Sequence, residues 1–152
     1  MFFKNITLLA DAIQKGIFPA LETFECPFDT ETNPTGVIRI TFPEFTCVCP
    51  KTGYPDFAVI NLYYLPGKLC LELKSWKIYL NSFRMVGTFH ETVTAHLFTT
   101  VTKILNPKWL LLVGDFLPRG NMDTTIVFET DTLRPAGADI LIGRQEPHCK
   151  GI

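Results

Sequence analysis

The sequence predicts an α+β fold in which a mainly antiparallel, four-stranded sheet carries two helices on one face. Four segments have the apolar pattern of strands and two have the apolar spacing of helices, in the order strand, strand, helix, helix, strand, strand. The chain has 152 residues, of which 47% are hydrophobic, so it is long and apolar enough to bury the core of one domain. We therefore expect residues 1–152 to form a single domain.

The first two strands are predicted on either side of a hairpin loop. Residues 28–36, "FDTETNPTG", are acidic and threonine-rich and predict a loop ahead of the strands. In "VIRITF", Ile38, Ile40 and Phe42 alternate with Arg39 and Thr41, which is typical of a strand with one buried face. "DFAVINLYYL" is apolar on both sides and predicts a central strand covered on two faces. Between them, "CPKTGYP" has the prolines and glycine of a hairpin loop.

Two helices and two further strands follow. The first helix starts at Leu73, and its predicted buried residues are Leu73, Trp76, Leu80 and Phe83. One position on, Lys74, Lys77, Asn81 and Arg84 form a basic and polar stripe. The second helix runs from about residue 89 to 105 and ends before Asn106-Pro107, with Val93, Leu97, Val101 and Ile104 as its buried stripe. "KWLLLVGDFL" and "TTIVFET" then predict two strands, and the tail has no clear period.

Bulk composition excludes several classes of protein. The formal net charge is −1, which gives no indication of a nucleic-acid or membrane partner. We find neither a secretory signal nor an apolar run near the roughly 18 residues of a membrane span. The five cysteines are an odd number in a chain of this size, which favours a reduced, cytoplasmic protein over a disulfide framework.

The residues most able to carry chemistry lie in "FTCVCPKTGYPDF". Cys47 and Cys49 share one face of an extended chain, but Cys-x-Cys is tighter than the common zinc motifs, and we expect no metal site. We interpret Cys47 as a packing residue. Cys49 lies at the mouth of the predicted loop, and Asp56 begins the next strand, so the hairpin brings them together. This pattern suits a nucleophile with its proton-transfer partner, or simply a hairpin that happens to be flanked by the two residue types.

Four motifs in order resemble one enzyme family. "EFTCVCPKTGYPDF" resembles the signature of the NADPH-dependent nitrile reductases of queuosine biosynthesis, the 7-cyano-7-deazaguanine reductases. "ELKSWKIYLNSFR", "GTFHE" and "FLPRG" resemble three further motifs of that family. The resemblance covers about residues 36–120 and is to the short, single-module form. The chain departs from it at Asn121-Met122, where the family has Gly-Ile.

The resemblance implies an assembly and a reaction. The family has the tunnelling fold, whose subunits assemble into pentameric barrels that stack in pairs, so a homo-oligomer is expected. The implied reaction is the four-electron reduction of 7-cyano-7-deazaguanine to 7-aminomethyl-7-deazaguanine, with NADPH and without a metal. The implied partner is thus a small deazapurine, and neither nucleic acid nor a membrane is expected.

The resemblance also assigns roles to residues. Cys49 is the nucleophile that forms a covalent thioimide, Asp56 supplies and takes protons, and His90 contacts substrate or relays protons. Substrate contacts fall on Leu71, Glu72, Leu73, His90 and Glu91, with the Glu91 carboxylate accepting two N–H groups. Lys74, Lys77, Arg84 and Arg119 are the candidates for the NADPH phosphates.

Alternatives stay open for individual residues and for the whole chain. The basic stripe would also suit a solvated helix face. "TFHE" also has the pattern of a capping box, with Thr88 as N-cap and Glu91 at the third helical position. The rival functions are an amidinotransferase-like relative that delivers ammonia to the same thioimide, a zinc-dependent cyclohydrolase relative, and a non-catalytic purine-binding assembly.

Overall fold

The computed structural model describes residues 6–28 and 36–143 and has the predicted mixed α+β class. Its strands are β1 Thr7–Leu8, β2 Thr23–Glu25, β3 Ile38–Val48, β4 Pro55–Leu65, β5 Leu69–Leu71, β6 Val86–Gly87, β7 Trp109–Arg119 and β8 Met122–Glu129. Its helices are α1 Leu9–Gln14, α2 Leu73–Asn81, α3 His90–Leu105 and α4 Ala136–Ile142, and a 3-10 turn, Ser82–Met85, follows α2. The loop predicted over 28–36 lies, apart from its two ends, outside the described residues.

The main sheet has six strands in the order β1-β6-β3-β4-β7-β8. The four long strands β3, β4, β7 and β8 pair antiparallel, as the sequence predicts. The short strands β1 and β6 extend the sheet in parallel beyond β3, and β2 pairs with β5 separately. The prediction of four strands was therefore too low, because segments of two or three residues have no readable period. The doubly apolar strand β4 is central, as predicted.

The main core lies on one face of the sheet, under the two long helices. Alternate residues of β4 face it, and the helices cover them with fully or nearly fully buried side chains, among them Trp76 and Leu80 of α2 and Val93 and Leu97 of α3. The other face has a smaller cluster around Tyr63 and Trp109, which Ala138 of α4 covers. The prediction of a helix pair on one face is confirmed, whereas α1 and α4 were not predicted.

Two details of the helical stripes differ from the prediction. Leu73 is 60% exposed, because it is the first residue of α2 and precedes the part of the helix that contacts the sheet. Tyr79, six residues further on, is buried but was not predicted to be. In α3, Leu105 is buried and Ile104 is only half-buried. The buried residues of this helix recur every four positions, so the stripe continues from Val101 to Leu105 and not to Ile104.

Two of the long strands contain a bulge at a proline. The β3–β4 register shifts between Phe42 and Phe45, a step that contains Pro43, and β3 then continues to Val48. The β7–β8 register shifts between Phe116 and Arg119, a step that contains Pro118. Proline lacks the N–H that a ladder needs and is therefore placed at bulges. Both bulges lie towards the ends of β3 and β7 that hold the candidate site.

Helix α3 approaches β7 closely at Gly114. A Cβ atom at this position would lie 2.8 Å from Thr94 Oγ1, so only glycine allows the observed spacing. The Thr94 hydroxyl in turn donates a hydrogen bond of 2.7 Å to the carbonyl of His90. The contact thus fixes the first turn of α3 against the sheet. None of the helices described in 6–28 and 36–143 combines the length and hydrophobicity that a membrane crossing needs.

Candidate active site

A cavity of about 420 Å³ lies where three segments meet: the β3–β4 hairpin, the start of α3 and the β7–β8 turn. Its lining includes Cys49, Thr52, Asp56, His90, Glu91 and Arg119. Five of these were predicted as site residues from sequence, although they lie in three distant parts of the chain. Thr52 is the one that the sequence reasoning did not single out.

The hairpin brings Cys49 to the mouth of the cavity. The Cys49 N–H donates to the Tyr54 carbonyl at 2.8 Å, and the Gly53 N–H donates to the Cys49 carbonyl at 2.9 Å. Gly53 has a φ of 75°, which glycine adopts readily and which closes the turn. Pro55 then pairs with Val48, and Asp56 follows as the first buried residue of β4.

The Cys49 thiol is activated by hydrogen bonds from its own turn. Partial burial and the nearby Asp56 carboxylate both act to raise its pKa. The Thr52 hydroxyl and the backbone N–H groups of Thr52 and Lys51 hydrogen-bond the sulfur and outweigh them, so the pKa is lowered below its ordinary value. A larger fraction of nucleophilic thiolate is therefore present near neutral pH.

Cys47 differs from Cys49 both in its burial and in the pKa of its thiol. It is fully buried in the main core and lies directly across the ladder from Asp56. Burial, together with the Asp56 and Cys49 charges, raises the pKa of its thiol to about 12 although Arg119 acts in the other direction. Its interpretation as a packing residue is confirmed.

Asp56 is buried beneath the cavity and pairs with two of its lining residues. It is 3% exposed, and its two oxygens have separate cationic or polar partners. Oδ1 accepts a hydrogen bond from Arg119 Nη1, and Oδ2 lies 3.4 Å from His90 Nε2. The His90 ring stacks on Phe116 with a centroid distance of 3.8 Å, which sets its plane. A buried carboxylate needs such compensation, because desolvation of an unpaired charge is costly.

Arg119 reaches Asp56 from a two-residue turn. Gly120 and Asn121 have φ values of 57° and 66°, the combination of a type I′ turn, and Arg119 pairs with Met122 across it. Asparagine tolerates positive φ better than most residues, so Asn121 serves where the family has glycine. The guanidinium is engaged with Asp56, which weakens the prediction that Arg119 contacts a cofactor phosphate.

Glu91 lines the cavity and does not cap α3. The helix begins at His90 with Phe89 as N-cap, and no side chain caps it. The Thr88 hydroxyl donates instead to the Phe89 carbonyl at 3.2 Å. The capping-box interpretation is therefore wrong, because extended Phe89, with φ −79° and ψ 155°, delays the helix by one residue. Glu91 is exposed and lines the cavity.

The predicted substrate stretch Leu71, Glu72 and Leu73 lies elsewhere. It lines a second, more apolar cavity of about 570 Å³ beside Ile38 and Tyr64, at the other end of β3 and β4. Leu71 N–H donates to Tyr64 Oη at 3.1 Å. The eight residue steps from Asp56 to Tyr64 span roughly 26 Å along a strand, so one copy of the chain does not bring this stretch to Cys49.

Glu72 forms hydrogen bonds within the chain that the sequence analysis did not predict. Its carboxylate caps α2, accepting from the N–H groups of Lys74 at 2.9 Å and Ser75 at 2.7 Å. Lys74 and Lys77 are exposed on α2, and exposed Arg84 borders a third cavity beside Phe57 and Leu117. None of these three basic residues lines the Cys49 cavity.

Within residues 6–28 and 36–143, no three His, Cys, Asp or Glu side chains are grouped so that they could hold a metal ion. His96 lies on α3 within hydrogen-bonding distance of Tyr79, with 2.9 Å between Nε2 and Oη.

A thiol of lowered pKa beside a buried carboxylate and an imidazole, on a mixed α+β fold, is an arrangement that can carry nucleophilic and acid–base chemistry. Comparison with known proteins identifies the family. The family model of the QueF-like proteins matches residues 55–135, and the chain belongs to this family.

Curated relatives agree with that assignment. The NADPH-dependent 7-cyano-7-deazaguanine reductase of Campylobacter lari is 48% identical over 99 residues, which cover 65% of this chain and 78% of the relative. The reductase of the same name from Aquifex aeolicus is 48% identical over 95 residues, covering 62% and 74%. The resemblance predicted from the four motifs is confirmed.

A solved structure supports the fold. The apo form of the archaeosine synthase QueF-Like matches with a TM-score of 0.60 at 19% identity, over 68% of this chain and 100% of that chain. At this identity the likeness concerns the fold alone.

Proposed function

We propose that this protein is an NADPH-dependent oxidoreductase that reduces the nitrile of 7-cyano-7-deazaguanine to the aminomethyl group, as a step in queuosine biosynthesis. The observation that carries the proposal is the Cys49 thiol of lowered pKa beside buried Asp56, in a chain that is 48% identical over 99 residues to a relative named for this activity. The described cysteines Cys26, Cys47, Cys49 and Cys70 are all free thiols, which suits a reduced compartment such as the cytoplasm.

Cys49 opens the reaction as the nucleophile. Its sulfur forms a bond to the nitrile carbon while one π bond of the nitrile breaks, which gives a covalent thioimide. The thiol proton passes to Asp56 and from there to the nitrile nitrogen, so no proton is gained or lost in this step. A protonated thioimide accepts hydride far better than a nitrile does, which is the chemical reason for a covalent step.

Asp56 and His90 then manage the remaining protons. After the first reduction, the C–S bond breaks and Cys49 recovers its proton, which leaves an imine. His90, 3.4 Å from Asp56, is placed to relay the proton that this nitrogen takes up in the second reduction. NADPH, when bound, supplies one hydride to the same carbon in each reduction, so one nitrile, two NADPH and two protons give one primary amine and two NADP⁺.

The basic residues of α2 suit the phosphates of NADPH. Lys74 and Lys77 are exposed on one helix, and Arg84 is exposed on the turn that follows it, so the three present positive charge along one edge. Arg119 fits that role less well, because its guanidinium is paired with Asp56. We therefore assign phosphate binding to the α2 edge and not to Arg119.

Glu91 is the proposed recognition group for the purine. The guanine-like edge of the substrate offers two adjacent N–H donors, and one carboxylate can accept both. Glu91 lines the Cys49 cavity, and no described residue forms an ion pair or hydrogen bond with its carboxylate. It is thus available to a ligand, unlike Glu72, whose carboxylate caps α2.

The complete site is proposed to need two copies of the chain. Leu71–Leu73 and Cys49 lie at opposite ends of the same strands, so the stretch that the family resemblance assigns to the substrate must come from a neighbouring subunit. This supports a homo-oligomer, and the resemblance implies two stacked pentamers with the tunnelling fold.

The test combines a reductase assay with detection of the adduct. Wild-type protein with 7-cyano-7-deazaguanine should oxidise two NADPH per nitrile, followed by absorbance. Without NADPH, intact mass should show a covalent adduct that Cys49→Ala loses and Cys47→Ser keeps. An adduct that follows Cys47 would refute the assignment of the nucleophile. Nitrile consumption with ammonia and without NADPH oxidation would indicate the amidinotransferase-like alternative.

A further inference from the structure

Arg119 joins two hairpins beside the Cys49 cavity. It is the last residue of β7, and its side chain reaches across to the β3–β4 hairpin. Nη1 donates a hydrogen bond to Oδ1 of Asp56, and Nη2 donates one of 3.4 Å to Oγ1 of Thr52. One guanidinium therefore contacts both the turn that begins at Cys49 and the strand that follows this turn.

The backbone ladder does not extend to the point where these contacts are made. The pairing of β4 with β7 ends at Ala58 and Phe116, two residues short of Asp56. Between Phe116 and Arg119, β7 contains the bulge that also shifts its pairing with β8. Beyond the end of the β4–β7 ladder, the side chain of Arg119 links the two hairpins by hydrogen bonds.

The two oxygens of the Asp56 carboxylate consequently have different surroundings. Oδ1 accepts a hydrogen bond from the guanidinium of Arg119, whereas Oδ2 lies 3.4 Å from Nε2 of His90. A permanent positive charge next to one oxygen disfavours a proton on that oxygen. Oδ2 is therefore the oxygen better able to take up and return a proton. Because Asp56 is buried, its orientation depends on these neighbours and not on water.

We propose that Arg119 is a positioning residue for the reaction assigned to Cys49: it holds Oδ1 of Asp56 and is itself held by Thr52, so that Asp56 exchanges protons through Oδ2. In the first step, the thiol proton passes to Oδ2 and from there to the nitrile nitrogen, which restores the carboxylate. The inference rests on the proposed function for its catalytic meaning, whereas the orientation of Asp56 does not depend on that function.

The experiment follows formation of the adduct with 7-cyano-7-deazaguanine by intact mass, without NADPH, so that no contact of Arg119 with a cofactor can contribute. Arg119→Ala should lower the rate about tenfold to a hundredfold, because misplacing a reacting group can cost up to about that much. Millimolar guanidinium chloride should restore part of the rate, and sodium chloride at the same concentration should not. Arg134→Ala is the matched control, since this guanidinium pairs with Glu129 and does not line the Cys49 cavity. It should keep the wild-type rate.

Thr52 provides a second, milder comparison. Thr52→Val removes the hydroxyl that accepts from Arg119 and should lower the rate about two- to fivefold, whereas Thr52→Ser should keep the wild-type rate. In the Arg119→Ala background, Thr52→Val should have no further effect, because its partner is already absent. Arg119→Lys keeps a positive charge but ends in a single nitrogen, so its rate should stay below that of the wild type.

A crystal structure of Arg119→Ala tests the positioning without the reaction. The Asp56 carboxylate should turn away from its contact with His90 or divide between two orientations. An unchanged carboxylate would overturn the inference, as would a wild-type adduct rate in Arg119→Ala or an undiminished effect of Thr52→Val in that background. If Arg119→Ala does not fold, a wild-type rate in both Arg119→Lys and Thr52→Val overturns the inference. If the wild type forms no adduct and reduces no nitrile, the proposed function fails, while the crystal structure still decides whether Arg119 orients Asp56.

Discussion

Asp56 is the residue on which the candidate site converges. It continues the row of β4 residues that face the apolar core, yet it is a carboxylate and 3% exposed. Its burial is compatible with a charge because Arg119 and His90 approach its two oxygens separately. The same arrangement fixes the Asp56 carboxylate beside Cys49 in one orientation. A polar group that is oriented in advance needs no reorganisation during a reaction, which suits the role proposed for Asp56.

Glu91→Gln tests recognition of the purine edge. Glutamine keeps the size of the side chain but turns one acceptor into a donor, so it cannot accept both N–H groups. We expect at least about a tenfold loss of nitrile binding, or roughly 1.4 kcal/mol, because charged hydrogen bonds are lost. Since Glu91 does not cap α3, the melting temperature should stay unchanged. Wild-type affinity in a titration with the nitrile, without NADPH, would contradict the role.

At the scale of single residues, the sequence predicted which residues line the cavity better than it predicted the contacts that hold them in place. Cys49 and Asp56 flank a predicted hairpin, and the family resemblance singled out His90 and Glu91. The Thr52–Arg119 hydrogen bond depends on the turn geometry, and the Arg119–Asp56 pair joins positions 63 residues apart. Neither contact leaves a local pattern. Glu72 was assigned to the substrate by the family resemblance, and its role as N-cap was not considered although the start of α2 at Leu73 was predicted correctly.

The β3–β4 hairpin is the element that carries the chemistry, and α2 and α3 determine what surrounds it. The bulge at Pro43 lets β3 continue beyond "VIRITF" to Val48, so the loop is the short turn from Cys49 to Tyr54. The strands and helices with long periodic stretches were predicted within a few residues. The elements that were missed, such as β6 and α4, are short, and tertiary contacts rather than their own pattern hold them in place.

Glu72→Ala should reveal the carboxylate cap of α2. Hydrogen bonds from the N–H groups of Lys74 and then Ser75 hold the pKa of the Glu72 carboxyl below its ordinary value. Because the pKa is lower in the folded state, the cap stabilises the fold at pH values above the pKa of the unfolded state, about 4.3. This stability is lost as the pH falls through the pKa of the folded state. Thermal melts should therefore show a lower melting temperature for the variant at pH 7 and a vanishing difference in acid. Glu44→Ala, at an exposed strand position, is the control. Equal melting temperatures of Glu72→Ala and wild type at pH 7 would contradict the cap.

Lys74→Gln and Lys77→Gln test the basic edge of α2. Exposed ion pairs contribute about 0.2–1 kcal/mol, so each change should raise the KM for NADPH about two- to fivefold and weaken its dependence on salt. Formation of the thioimide adduct should be unaffected, because it needs no cofactor. Lys103→Gln, an exposed lysine on α3, is the matched control. If neither α2 variant differs from this control, the edge is a solvated helix face.

On the scale of the whole molecule, the two halves of the predicted site are separated by the length of β4. One end has the nucleophile and the proton carriers, and the other has the larger, more apolar cavity with Leu71–Leu73. The sequence motifs gave no sign of this separation, because proximity along the chain does not determine which end of a strand a residue reaches. The proposed two-copy site would make assembly necessary for the chemistry and not only for stability.

Mixing two inactive variants tests the shared site. Cys49→Ala removes the nucleophile, and Leu73→Asp places a charge in the opposite cavity at an exposed position. When the two are co-expressed in equal amounts, about one quarter of the sites should combine an intact Cys49 with an intact Leu73 from a neighbour, and activity should return to that extent. Two copies of the same variant remain inactive and serve as the control. No recovery in mixed oligomers, verified by native mass spectrometry, would place the complete site within one copy.

Gly114 affects the alignment of this site from a position outside the cavity. Its missing side chain allows Thr94 to press against β7, and Thr94 holds the carbonyl of His90. Phe116, the ring on which His90 stacks, lies within 3.2 Å of the same empty position. A side chain there would push on both supports of the imidazole at once. A larger residue at position 114 would therefore disturb the orientation of His90 as well as the packing of α3, although Gly114 does not line the cavity.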